Sequence, residues 1–381
     1  MEGKIQYATQ AKKKRLANIE LLRILAMAMI VCNHFFSHGI GLMDYDFNNP
    51  NVEFSWLLRG ICYMGTNLFI LISSYFLCRS KFKAKGLLLL ICQTFFYSII
   101  IYIVTYLLGW HSLNVKQTIC SLFPIVTSQY WFVTCYVALY VLSPFLNSFI
   151  NTLVKSGQNV YRKFLVVLLV FFSVIPSILY FSPWLNWGGS SGIVWFIVLY
   201  FIGGYIRNYA SIENLQKNKT RIWILTLLCW IAPLVSKIII AYFSQWATGE
   251  VVGSSIFYVK NSIIIVPASI LTFLAFLSFE INSSFISKAI NFTASSVFSV
   301  YLISEHNFVR SQLWSFVTEH VNQNSTIFIL QTFAIIATIF IICIAIDLIR
   351  KVIFKLLAKT NIPQRISRNL IRLLDNAMLV G

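Results

Sequence analysis

The sequence predicts an all-α integral membrane protein with about ten transmembrane helices and both termini in the cytoplasm. Three observations carry that prediction. Of 381 residues, 58% are hydrophobic and only 11% are charged, against about 25% charged in ordinary soluble domains. The apolar residues gather in runs close to the roughly 20 residues that cross a bilayer as helix. The basic residues alternate between the gaps separating those runs, almost all on one side.

The same figures exclude other classes. A net charge of +18, from 30 Lys plus Arg against 12 Asp plus Glu, sits on a strongly apolar chain. A disordered chain needs low hydrophobicity, and a soluble fold of this size lacks enough polar residues here to coat it. A nucleic-acid binder this basic would be far less apolar, so no nucleic-acid partner is expected, while membrane lipid is. The eight cysteines form no CxxC pair and lie mostly in apolar runs. They read as small apolar residues rather than metal ligands or disulfides.

The ten runs are 17–38, 56–78, 86–108, 129–152, 164–184, 192–209, 222–243, 257–279, 289–311 and 325–349. The first follows Lys12-Lys13-Lys14-Arg15, carries Arg23 and His34 and has no small-residue cleavage site, so it reads as a retained span rather than a signal peptide. The second is closed by Arg79, Lys81, Lys83 and Lys85, the fourth by the basic segment 153–163, and the sixth, which is short, by segment 206–221. Lys288 precedes the ninth, the most polar, and Arg350 closes the tenth. Pro144, Pro176, Pro233 and Pro267 fall inside runs and are candidate kinks.

With the N-terminus placed in the cytoplasm, only Arg23, Arg59, Lys116, Lys237, Lys260 and Arg310 of the 30 basic residues fall off that face, and the opposite loops hold Asp44, Asp46, Glu53, Glu250 and Glu319. The expected organisation is a basic cytoplasmic segment at 1–16, a ten-helix domain at 17–349 and a basic cytoplasmic tail at 350–381, with no attached soluble domain. The tail interleaves charge with apolar residues, as in Phe354-Lys355-Leu356-Leu357. Two readings of it stand, an amphipathic helix on the anionic inner leaflet and a solvated stop-transfer tail.

Ionisable groups inside spans are costly, and each is a candidate for function. Arg23 and His34 stand eleven residues apart in the first span, which is three turns plus roughly 20°, so both share one face about 16 Å apart along the axis. Glu20 is placed to pair with Arg23, and His38 follows His34 by one turn. An arginine near the inner side suits phosphate or carboxylate. A histidine in the outer half suits taking a proton from a hydroxyl. The structural readings are an interfacial Glu20–Arg23 pair and a histidine bonded to a neighbouring helix.

The ninth span is the second polar cluster, with Tyr301 followed by Ser304-Glu305-His306-Asn307 and then Arg310. Glu305 suits orienting an imidazole or pairing with Arg310; a stretch already at the outer interface is the third reading. Asn67 and Lys237 each suit a cavity lining, and Lys237 also suits snorkelling. On physical grounds Gln129-Tyr130-Trp131-Phe132 reads as an interfacial aromatic belt.

These residues together resemble the acyltransferase-3 family of multispanning membrane acyltransferases. Arg23 and His34 stand in a first span opening Asn18-Ile19-Glu20-Leu21-Leu22-Arg23. Asn67–Phe76 is similar to the family's second-span segment, Tyr130-Trp131-Phe132 with Leu139–Asn147 to its Trp-Phe … Leu-Tyr … Ser-Pro-Phe-Leu-Asn stretch, and Tyr301-Leu302-Ile303 with Glu305 to its Tyr-Leu-Ile-His-Glu segment. The resemblance covers about residues 15–350. Two positions depart from it: Ser74 replaces the usual glycine, and Ser304 a common histidine. His306, two residues on, points about 200° away on a helix and is no simple replacement for that histidine.

The resemblance implies acyl transfer, acetyl favoured and succinyl open, from cytoplasmic acyl-CoA to a hydroxyl of a surface polysaccharide or its lipid-linked precursor. It implies His34 as the base, Arg23 as donor-binding or site-holding, Glu305 as a third catalytic position, and Glu20, Asn67, Trp131, Tyr301 and His306 in support. No resident cofactor or metal is expected, acyl-CoA being a substrate. The expected location is a multi-pass place in a bacterial plasma membrane, with other glycan-synthesis proteins as further partners. The competing readings are a transporter or flippase for a lipid-linked or polymeric sugar, and a sensor built on the same scaffold.

Overall fold

A computed structural model describes residues 16–42, 49–179 and 189–357. The basic segment before Leu16, Asp44, Asp46, the end of the expected fifth span and the tail from residue 358 lie outside the described residues. Those described form helices joined by turns, with no strand among them.

The first helix, α1 (Ala17–His34), runs into one π-helical turn at Phe35–Gly39, a local widening that often marks a functional position. Its start is pinned by buried Asn18, whose amide donates to the carbonyls of Phe276 and Phe279, both at 2.7 Å. The expected second span is two helices, α2 (Pro50–Cys62) and α3 (Met64–Leu77). The Asn49 side chain caps α2, and Pro50 stands in its first turn, where no N–H is lost. Then follow α4 (Ala84–Leu107), α5 (Val115–Leu122) and α6 (Trp131–Lys155), the last containing Pro144. The helix α7 (Gln158–Leu169) continues through a π turn into short α8 (Ile175–Ile178) at Pro176.

The second half holds α9 (Ile193–Tyr209), α10 (Ile212–Lys217), α11 (Lys219–Thr248) and α12 (Ile265–Leu277). It closes with α13 (Ser284–Ala294), α14 (Val297–Ser304), α15 (Asn307–His320) and α16 (Phe328–Leu357). Among the described residues, eight helical stretches are long and apolar enough to cross a membrane, and α9 and α12 are shorter apolar helices. Together they overlap the ten runs of the sequence. At 13 residues α12 rises only about 20 Å, and Pro267 lies in its first turn rather than at a kink.

Two expected spans differ from the structure. The eighth is helical only from Ile265; residues 253–264 are turns. That irregular backbone is held by neighbouring helices: Asn261 donates to the Phe172 carbonyl, and the Ile263 N–H donates to Ser177 Oγ. Such satisfaction is what lets non-helical backbone exist at membrane depth. The ninth is interrupted at Ser295-Ser296 and again at Glu305-His306.

The helices pack in two apolar clusters. One joins α1, α3, α9 and α12 around Leu22, Leu68, Trp195 and Phe273. The other joins the end of α1 to α2, α14, α15 and α16 around Phe35, Trp56, Leu302 and Trp314. Small residues bring backbones close. A Cβ on Gly65 would lie 2.8 Å from the Ala26 carbonyl oxygen, and one on Gly203 would run into Ser74 Oγ. The large apolar side chains left exposed on α4, α6, α11 and α16, such as Leu107, Phe145, Leu228 and Ile341, form a surface suited to lipid.

Candidate active site

His34 is the last residue of α1, and its ring lines a cavity of about 280 Å³. The cavity is bounded by α1 (Ile30, Asn33), the α2–α3 junction (Tyr63, Thr66), the start of α6 (Trp131) and α14 (Tyr301). Ser191 and Lys260, both in non-helical segments, complete the polar wall.

The break between α14 and α15 supplies the partner of His34. Ser304-Glu305-His306-Asn307 is too polar for a lipid-facing helix, and here the helix stops instead. Glu305 N–H still donates to the Tyr301 carbonyl, Tyr130 Oη donates to the Leu302 carbonyl at 3.0 Å, and the Arg310 N–H restarts the pattern on the His306 carbonyl. The break therefore leaves its own backbone largely satisfied. Glu305 projects to α1, where its Oε1 lies 2.6 Å from His34 Nδ1. The two atoms meet at ion-pair distance without the alignment of an ideal hydrogen bond, and neither has a hydrogen-bond partner elsewhere among the described residues. Glu305 Oε2 is 3.7 Å from Arg310 Nη1. Both roles read for Glu305 in the sequence are thus present at once.

This arrangement has a definite chemical capacity. A carboxylate on the Nδ1 side fixes the tautomer and orientation of an imidazole and stabilises it once protonated. The other nitrogen, Nε2, is then the proton acceptor, on a ring that lines a cavity reached by hydroxyl and ammonium groups.

His306 goes elsewhere. It is fully buried, its Nε2 lies 3.2 Å from the Ser98 carbonyl on α4, and it lines a separate cavity with Gln129 and Asn307. The extended backbone at His306, with ψ 130°, turns it from Glu305. The structure thus separates His306 from the site it was expected to support. Ser304 is buried with its hydroxyl unpartnered among the described residues.

Arg23 and Glu20 pair at 2.6 Å, with Glu20 nearly buried. They lie three turns down α1 from His34 and do not line its cavity. Tyr301 does, and so does Trp131, which forms part of the cavity wall, while Tyr130 beside it is fully buried. The aromatic residues turn inward here because α6 begins against α14, with Phe132 and Tyr301 rings 5.8 Å apart.

Asn67 is fully buried and uses both ends of its amide. It donates to the Lys260 carbonyl at 2.7 Å and to Ser269 Oγ at 3.1 Å, and accepts from Trp195 Nε1 at 3.0 Å. It thereby ties α3, α9 and α12 to the turn carrying Lys260. The Lys260 ammonium donates to Ser191 Oγ at 2.6 Å and sits 4.7 Å from the Trp131 ring centroid. Lys237 is buried too, donating to Ser254 Oγ at 2.8 Å with its ammonium 3.7 Å from the Trp56 ring centroid.

Sequence reasoning missed two features. Lys260 was counted only as a charge off the basic face. Asp347, fully buried on α16, accepts from Tyr97, Ser299 and Arg350 and pairs with Lys351 at 3.1 Å. A lone acid ten residues before the end of a long apolar helix was the available sign, and this network joins α4, α14 and α16. Among the described residues, no group of three or more His, Cys, Asp or Glu is placed to hold a metal ion.

Comparison with known proteins bears on all of this at once. Searches of curated proteins and of solved structures returned no match. A family model described as an acyltransferase domain, Acyl_transf_3, matches residues 16–348, from the first described residue to within one turn of the Asp347 network. A match over nearly the whole chain, on an all-helical scaffold with many membrane-crossing helices, makes this chain a member of the acyltransferase-3 family and a multi-pass membrane acyltransferase.

Proposed function

We propose that the protein transfers an acyl group, acetyl favoured, from cytoplasmic acyl-CoA to a hydroxyl of a cell-surface polysaccharide or its lipid-linked precursor, across a bacterial plasma membrane. The observation that carries this reading is the His34–Glu305 contact of 2.6 Å beside a cavity that also holds Ser191 and Lys260. The N-terminus is taken as cytoplasmic, from the one-sided distribution of basic residues, which puts His34 in the outer half and Arg23 near the inner face.

In this reading, His34 Nε2 accepts the proton of the acceptor hydroxyl as its oxygen attacks the thioester carbonyl. The new ester C–O bond forms and the C–S bond breaks. The departing CoA thiolate takes the proton back from the imidazolium, which Glu305 stabilises while it lasts. Arg23 contributes on the donor side, where a guanidinium suits the phosphates of CoA.

The test is the protein in sealed vesicles with radiolabelled acetyl-CoA and extracted surface glycan. Label appearing as alkali-labile ester on the glycan, with release of CoA thiol, is expected. Movement of a labelled glycan across the vesicle without acyl-CoA, and no ester formed, would replace this reading with that of a transporter, for which a broken helix carrying charge is also suited.

A further inference from the structure

Lys260 is a cation at the wall of the His34 cavity with no carboxylate partner among the described residues. Of the other charges near this cavity, Arg310 faces Glu305 and Glu305 faces His34, while Arg59, over the Tyr63 ring, does not itself line the cavity. Lys260 has only the Ser191 hydroxyl and the face of Trp131. Those contacts hold an ammonium in place but do not neutralise it. Lys260 is half-buried; a charge partly withdrawn from water favours a counter-charge, and this one borders space where a ligand fits.

Its placement is also built rather than incidental. The backbone of Lys260 is gripped by Asn67, whose amide is fully buried and fully used. The neighbouring turn is fastened through Asn261 to Phe172 and through Ile263 to Ser177. Three helices are thus committed to holding one lysine over Trp131.

The position in the cavity indicates which substrate it meets. Met27 and Ile30 line the cavity on α1, towards the Arg23 end, whereas Lys260 and Ser191 lie in the turns that precede α12 and α9; the end of α12 is bonded to Asn18 at the start of α1, so the beginning of α12 lies towards the His34 end. On the orientation above, a donor arriving from the cytoplasm enters at the Met27 side, and Lys260 is at the acceptor's side.

We propose that the Lys260 ammonium makes the outer end of this cavity a subsite for an anionic oxygen of the acceptor, a carboxylate or phosphate close to the hydroxyl that is acylated. This rests on the acyltransferase reading and narrows its acceptor to acidic glycans or phosphate-bearing polyols and lipid-linked sugars. Asn67 is a positioning residue for that subsite.

The experiment is calorimetric binding to the full-length protein in lipid nanodiscs, without acyl-CoA. The probes are a glucuronate trisaccharide and its glucose counterpart, and a glycerol phosphate trimer and its uncharged counterpart. One acidic probe is expected to bind at least about tenfold more tightly than its neutral partner, the scale of a charge-assisted hydrogen bond; which one identifies carboxylate or phosphate. Lys260→Gln should erase that preference and Lys260→Arg should keep it, both variants eluting as monodisperse protein. Equal binding of acidic and neutral probes, no binding of any probe, or a preference that survives Lys260→Gln would overturn the subsite. Because the measurement needs no donor, failure of thiol release from acetyl-CoA counts against acyl transfer alone and leaves the binding result standing.

Discussion

Glu305 ends one helix and His34 ends another, and their side chains meet at 2.6 Å. The contact depends on the interruption of a helix whose apolar run, Val297–Ile303, meets four polar residues. If α14 continued as a regular helix into α15, residues 305 and 306 would diverge by only about 100°. The extended step at His306 instead sends Glu305 to α1 and His306 to α4.

Glu305→Gln keeps the size of the side chain and removes its charge. The variant should lower kcat by roughly 10²-fold, the scale of a lost orienting partner for a general base, with little change in KM for acyl-CoA. Glu305→Asp should recover part of the rate. Steady-state thiol release in nanodiscs reads both constants, and an unchanged kcat in Glu305→Gln would remove Glu305 from the mechanism.

Arg23 pairs with Glu20 away from the His34 cavity, so its effect should fall on the donor. Arg23→Ala is expected to raise KM for acetyl-CoA about tenfold or more, as for loss of a charged hydrogen bond, with a smaller effect on kcat. A lowered unfolding temperature with KM unchanged would make the pair purely structural.

Ser74 stands where the family usually has glycine, and Gly203 on α9 faces it. The close approach here is made by Gly203, which leaves room for the Ser74 side chain. Gly203→Ala would drive its Cβ into Ser74 Oγ and to 2.8 Å from Ser74 Cβ, and should destabilise by about 1–3 kcal/mol as overpacking does. Adding Ser74→Gly should restore most of the loss. Thermal unfolding in detergent measures both, and a double variant no more stable than Gly203→Ala would refute the compensation.

Much of this was legible in the chain. Arg23 and His34 on one face follow from helix geometry, and Asn67 and Glu305 stand out because lipid tolerates neither without a partner. What periodicity does not carry is where a helix stops. Ser304–Asn307 reads as a functional polar cluster or as a stretch at the outer interface, and neither reading places a helix break there; the break leaves the Leu302 carbonyl to Tyr130, a residue distant in sequence. Trp131 and Lys260 misled for a related reason. Each sits near the end of an apolar run, where interfacial anchors and topology charges also sit, and only the packing of α6 against α14 and the Asn67 clamp turn them into a cavity wall.

The most direct measurement of the central claim is the ester content of surface polysaccharide from cells carrying the wild-type gene, His34→Ala or no gene, with membrane levels of the two proteins matched. Acyl ester is expected on the wild-type polysaccharide and at the level of the gene deletion in His34→Ala. Ester at the wild-type level in His34→Ala would contradict the account.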